Sequence, residues 1–359
     1  MKKTLIALAA VAATAGVAHA QSSVTLYGLV DAGFGRTTTQ VGGGAKVSNT
    51  VVNSSGLNNS RWGLRGTEDL GGGLKANFVL ESGFNTDTGS RANIAAQGDS
   101  MFGRAAWVGV SGGFGAVALG RQYTAYDALR GATNNNFDNN FATTNSIWGT
   151  GVGGYQNRAS NAISYTSNVY GGFSGAVVYG FGEGATAAFP DADDANSASL
   201  HIKYANGPLL VGYAYQREEQ TVGNNYFGSA GAGGVPATAA LVADTRTYNL
   251  FAGSYNFGVV KLNAGYNRAE GDVREAKEYQ VGLSAPLGAT TLAVGYSRSK
   301  ADGGGLADLK SRGYSASATY DLSKRTALYV GYLNNNVEAG AAAVETKSRV
   351  FLTGVKHVF

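Results

Sequence analysis

Four arginines, Arg61, Arg65, Arg104 and Arg158, fall in short alternating segments where strand parity assigns them to one polar face. A guanidinium stays charged at every physiological pH and presents a planar fork of donors, so such a cluster attracts and orients anions. Parity makes the assignment. Trp62 and Leu64 take the apolar face of their segment and leave Arg61 and Arg65 on the other. Trp107 placed outward leaves Arg104 inward, and Ile163 and Tyr165 outward leave Arg158 inward beside Ala162 and Ser164. Asp31, Glu81 and Lys203 are further charges of the polar face. Arg121 has the opposite parity, shared with Val117 and Leu119. The acids able to oppose the arginines are Asp127 and Asp138, in a long stretch, 123–157, otherwise rich in asparagine (Asn134–Asn136, Asn139, Asn140).

Signals for an enzyme are poor. Beyond residue 20 two histidines remain, His201 and His357, and no motif supplies the orienting group and oxyanion site that a nucleophilic relay needs. The chain has no cysteine, and two distant histidines make no ligand cluster, so no metal or other cofactor is expected. The glycine runs Gly42–Gly44, Gly71–Gly73 and Gly303–Gly305 lack the Lys-Ser/Thr ending of a phosphate loop and read as turn or loop glycines.

Charges on one face need elements that alternate. Leu292, Val294 and Tyr296 share one face and Ala293, Gly295 and Ser297 the other; Tyr314, Ala316, Ala318 and Tyr320 alternate with Ser315, Ser317, Thr319 and Asp321. This period of two recurs along the chain, with tyrosines near segment ends and glycine, serine, asparagine and charge on the polar face. With 54 Gly, 20 Tyr and only 4 Pro, the composition departs from that of ordinary soluble domains. No window beyond the N-terminus is apolar enough for a spanning helix. Short connections (such as Asp69–Gly73 and Pro286–Ala289) alternate with longer ones, about 38–58, 85–100, 123–157, 182–197, 221–244, 271–276, 301–309 and 337–345. Seven short and eight long connections join sixteen strands. The fold class is therefore all-β: a closed, 16-stranded antiparallel transmembrane β-barrel with short periplasmic turns and long extracellular loops. Closure follows because an open edge in lipid leaves backbone groups unpaired.

The N-terminus reads as an export signal. Lys2 and Lys3 precede an apolar stretch Leu5–Gly16 and an A-x-A site at Ala18–Ala20, so residues 1–20 are expected to be cleaved, leaving one barrel domain over 21–359. Without Lys2 and Lys3 the excess of basic over acidic groups falls from 4 to 2. A nearly neutral chain gives no sign of a nucleic-acid partner.

The segments Val24–Gly28, Ser60–Gly66, Leu80–Phe84, Gly103–Gly109, Leu119–Tyr123, Tyr126–Leu129 and the ending His357-Val358-Phe359, in this order and spacing, resemble the general porins of Gram-negative bacteria, closest to the beta-proteobacterial type. The resemblance implies a homotrimer and a third long loop, here 123–157, folded into the lumen. It matches Arg61 and Arg104 to an arginine cluster facing that loop, puts Arg121 at the trimer seam if its strand lies there, and implies a bacterial outer-membrane location among lipid and lipopolysaccharide. Phe359, an aromatic ending in register with an apolar face, suits barrel assembly. The function expected is passive diffusion of small hydrophilic solutes and ions, anions favoured, through an arginine-lined constriction. The alternatives are a substrate-specific channel and, further off, an outer-membrane enzyme or adhesin on a barrel.

Overall fold

Each alternating segment pairs antiparallel with the next, and the last returns to the first. A computed structural model of the chain describes residues 23–92, 100–138, 140–182, 196–220, 244–303, 308–339 and 344–359. The expected signal peptide 1–20 lies outside the described residues. The strand segments are β1 (Ser23–Val41), β2 (Val47–Ser54), β3 (Arg61–Gly71), β4 (Leu74–Gly83), β5 (Ala105–Gly112), β6 (Gly115–Tyr123), β7 (Arg158–Ala159), β8 (Ala162–Thr166), β9 (Phe173–Gly180), β10 (Ser197–Asn206), β11 (Leu209–Gln220), β12 (Asp244–Asn256), β13 (Lys261–Glu270), β14 (Glu275–Leu287), β15 (Thr290–Asp302), β16 (Leu309–Asp321), β17 (Thr326–Ala339) and β18 (Val344–Val358). β1 pairs with β18 from Leu29↔Val358 to Val41↔Thr346, which closes the sheet.

The eighteen segments make sixteen barrel strands. β1 pairs with β2 over 32–39 and with β3 over 23–29, so β2 and β3 are two halves of one strand, interrupted at 55–60. β7 and β8 both pair with β6 and are halves of another, interrupted at Ser160-Asn161, where Asn161 has φ +44°.

One end of the barrel carries the short turns. One of them follows β3, where Gly71, Gly72 and Gly73 all take positive φ, a run that residues with a Cβ rarely adopt. At the other end several expected loops are shorter than read from sequence. β1 and β2 leave only 42–46 between them, not 38–58, and β13 and β14 leave only 271–274. The ladder continues beyond the lipid because backbone pairing in water needs no apolar face, and threonines such as Thr37–Thr39 suit strands.

The two faces divide by polarity. Tyr279, Val281 and Leu283 on β14 and Leu292, Val294 and Tyr296 on β15 are exposed, whereas Glu278, Gln280, Ser284 and Ser297 are buried. An exposed apolar band around a polar inner face is the reverse of a water-soluble barrel and suits lipid outside and water within. The inner face is buried where residues 124–157 lie against it, through helices α1 (Ala125–Thr133) and α2 (Thr144–Ile147) and a 3-10 turn Asn135–Asp138.

Candidate functional site

The expected arginines meet along one stretch of wall. On β3 the register sets Arg61 opposite Gly83 and Arg65 opposite Val79, with Gly63 opposite Tyr27 and Glu81 between them on the same face. Gly63 carries no Cβ because the Tyr27 ring lies over it: a Cβ there would stand 2.9 Å from the ring. The Tyr27 hydroxyl donates to Glu81 Oε2 at 3.0 Å, and the Arg65 guanidinium lies 5.1 Å from the Tyr27 ring centre. Arg104 Nε donates to Glu81 Oε1 at 2.7 Å and Arg61 stands 3.6 Å from the same carboxylate. Arg104 Nη2 donates to the Tyr123 hydroxyl at 3.0 Å. Arg158 donates to that hydroxyl too and lies 4.0 Å from the centre of its ring. Four arginines are thus linked through two tyrosines and one carboxylate, an arrangement that keeps a net positive charge.

Two of the parity arguments need correction. Trp107 faces inward, because Val108, 58 % exposed, pairs with Leu119, 55 % exposed, and so holds the outer face of β5. Arg104 precedes β5, and its direction comes from the bend at Gly103-Arg104 rather than from alternation. Arg158 is separated from Ile163 by the break at Asn161, and Ala159 is the residue buried with Ala162 and Val178, so alternation does not run through to Arg158 either.

The remaining charges scatter. Asp31 is fully buried, not open to the lumen: it accepts from the backbone N–H groups of Leu57 (3.0 Å) and Asn58 (2.6 Å) and from the Tyr329 hydroxyl (2.8 Å), pinning the 55–60 bend. Lys203 shares the inner face of β10 with His201, whose Nδ1 is 2.8 Å from the Ala125 carbonyl of α1. Arg121 has the expected outward parity and donates within its own barrel, to the Gly103 carbonyl and Ser160 Oγ, both at 2.8 Å. Phe359 exchanges backbone hydrogen bonds with Gly28, at 3.0 and 3.1 Å, and its ring covers that glycine.

The third loop crosses the inner face from β10 to β17. Thr124 caps α1 by accepting the Asp127 N–H at 3.2 Å. The Ala125 N–H donates to Ser199 Oγ on β10 (3.0 Å) and the Tyr126 hydroxyl to Asn267 on β13 (2.9 Å). The Asn135 N–H then donates to Gln280 on β14 (2.8 Å) and its side chain to Ser297 on β15 (3.0 Å), while Asn136 donates to Ser315 on β16 (2.8 Å). Phe141 packs on Tyr329 and Leu333 of β17. On the return the Gly149 N–H donates to Glu278 at 2.6 Å. Of the two loop acids, Asp127 accepts from the Tyr155 hydroxyl at 2.5 Å, and the Asp138 side chain lies outside the described residues. Burial, reinforced by the Glu278 charge at Tyr126 and by the Asp127 charge at Tyr155, pushes both hydroxyls well above the ordinary tyrosine range.

Sequence reasoning missed Tyr27 and Tyr123 as the joints of the arginine cluster. The glycine opposite Tyr27 was the available signal. It also read the loop asparagines only as a shortage of acid, whereas Asn135 and Asn136 anchor the loop. An amide offers donors and acceptors together, which suits a polar strand face rich in serine and glutamine.

A closed sheet with an apolar exterior, a polar interior and a loop laid inside it defines a transmembrane channel barrel. The chain belongs to the Gram-negative porin family, whose family model matches residues 7–340. It is 34 % identical to an outer membrane porin protein of Bordetella pertussis and 34 % identical to outer membrane porin protein 32 of Delftia acidovorans, each over the whole of both chains. Among solved structures it is similar to the anion-selective porin from Comamonas acidovorans, at 28 % identity and a TM-score of 0.74, covering 94 % of this chain and 100 % of that one.

Proposed function

We propose that the protein is a general diffusion porin whose narrowest passage runs between the arginine wall and the third loop, and that it favours anions. As a porin it sits in the bacterial outer membrane and passes small hydrophilic solutes and ions down their gradients, without catalysis or cofactor. The observation that carries the selectivity is the joining of Arg61, Arg65, Arg104 and Arg158 around a single carboxylate, Glu81. A narrow wet passage between low-dielectric walls focuses the field of such charges. The anion selectivity in the name of the Comamonas acidovorans relative agrees in sign. Asp127, held by Tyr155, is one of the two acids on the loop side, and the family resemblance carries the homotrimer.

The test is the reversal potential of channels in a planar bilayer under a salt gradient. The expected sign is that of anion preference, and the double variant Arg61→Gln/Arg104→Gln moves it toward the cation limit. A cation-selective wild type, or a double variant with unchanged reversal potential, removes the arginines from the filter. A heat-sensitive shift in gel mobility checks the trimer; a monomer-sized band before and after boiling counts against it.

A further inference from the structure

The inner wall of β4–β6 faces the lumen and is built mostly of small or polar residues, yet it carries a tryptophan. Trp107 on β5 stands opposite Val79 on β4, and Val79 stands opposite Arg65 on β3. All three point into the barrel, since Val108 and Leu119 hold the outer face and the register carries the parity across. They form one cross-strand row, an inward rung closer to the short turns than Tyr27, Gly63 and Glu81.

Trp107 is half-buried, and its flanks are bare. Its partner on β6 is Gly120, and the next inward position of β5 is Gly109, so neither supplies a side chain to cover the indole. The indole N–H makes no hydrogen bond among the described residues. A large aromatic body in a protein is ordinarily covered and its N–H partnered. Apolar area left against water favours a solute that covers it. At the other end of the row, Arg65 is the exposed arginine of the cluster. Glu81 is taken by Arg104 and Arg61, whereas Arg65 rests beside the Tyr27 ring and makes no ion pair among the described residues. Its guanidinium fork is open to a carboxylate from the lumen.

Arg65 and Trp107 lie two strands apart, a backbone separation of about 10 Å that their long side chains shorten. Val79 makes an apolar floor between them. An inorganic anion fills only the cationic end and a neutral ring only the apolar end. A carboxylate carrying an aromatic ring fills both.

We propose that Arg65, Val79 and Trp107 form a solute subsite for aromatic monocarboxylates, the carboxylate on Arg65 and the ring on Trp107. The proposal rests on the anion-favouring porin reading and adds to it a class of solute and the residue that selects it. Solutes of this class are held briefly beside the arginine cluster, on its periplasmic side, as they cross.

The test records single channels of the purified protein in a planar bilayer in chloride while sodium benzoate, sodium acetate or benzyl alcohol is added. Benzoate is expected to block the chloride current at about a tenfold lower concentration than acetate, because stacking adds to the carboxylate contact. Benzyl alcohol, without the charge, should block little. Trp107→Ala should raise the half-blocking concentration of benzoate toward that of acetate, and Trp107→Phe, which keeps a ring, should restore most of the difference. Arg65→Gln should weaken block by both acids. The wild-type comparison of benzoate with acetate decides the matter even where Trp107→Ala folds poorly. Equal block by the two acids overturns the subsite. So does benzoate block of Trp107→Ala at the wild-type concentration, or block by benzyl alcohol as strong as by benzoate. The chloride reversal potential reports the filter separately: a cation-selective wild type with Trp107-dependent benzoate block strikes the anion-preference reading and leaves the subsite standing.

Discussion

Tyr123 is the residue on which the arginine cluster turns, since its hydroxyl takes hydrogen bonds from both Arg104 and Arg158. Tyr123→Phe keeps the ring under Arg158 and removes the shared acceptor. The ring is 41 % exposed, so water replaces much of what is lost, and a stability change of about 1 kcal/mol is expected. The guanidiniums are freed to spread, and a measurable drop in anion preference should accompany the small loss of stability. Removing a charge outright does more. A unit charge about 4 Å from a passing ion in water is worth about 1 kcal/mol, so Arg104→Gln should lower anion passage about fivefold at low salt and raise cation passage in step. The effect should shrink as ionic strength rises, a dependence that bilayer recordings can follow.

The loop tyrosines give a pH signature at the same scale. Tyr126 and Tyr155 have raised hydroxyl pKa values in the folded protein, from burial first and from nearby carboxylates second. A group raised on folding contributes stability that is complete below its unfolded value of about 10 and is lost as pH climbs toward the folded value. The loop should therefore hold its place through neutral and mildly alkaline pH and loosen only above the usual tyrosine range. Ultraviolet titration of native protein should show tyrosines that ionise late, and Tyr155→Phe should remove one of them.

At the scale of elements, the third loop is placed by an inner wall cleared of side chains. Gly331 on β17 lies under Phe141, and a Cβ there would stand 2.4 Å from its ring. Gly282 on β14 makes the same allowance for Asn135, at 2.7 Å. Gly331→Val should destabilise the barrel by about 1–3 kcal/mol through overpacking, and the loop should shift away from the wall into the passage. Thermal unfolding reads the first effect and single-channel conductance, expected to fall, the second. The broken second strand belongs to the same device. The 55–60 bend leaves the ladder, donates its Leu57 and Asn58 N–H groups to Asp31, and accepts the Asn140 N–H at the Leu57 carbonyl, 2.9 Å away. The break in the second strand and the third loop thus meet inside the barrel.

For the whole molecule, stability comes from a closed ladder in lipid rather than from an apolar core, so the outer face tolerates charge worst at mid-membrane. Val294→Lys on β15 should cost about 2–4 kcal/mol there. The same change at Arg298, two rungs higher and already charged, should cost little. Unfolding of the reconstituted barrel in denaturant measures the difference.

By itself the sequence determined the barrel: strand number, the division of faces, and the alternation of short and long connections. These depend on a period of two, which one chain displays without reference to any other segment. Arg61 and Arg65 share one face of β3 and were legible for that reason. Only the tertiary structure decided how Arg104 and Arg158 reach the cluster, since both lie where a bend or a break ends the alternation. The tertiary structure also decided that Asp31 braces a bend instead of lining water, that Tyr27 and Tyr123 join the arginines, and that loop asparagines grip the wall. Such contacts bring together residues far apart in the chain, across a lumen that exists only once the sheet has closed, and no local pattern records them.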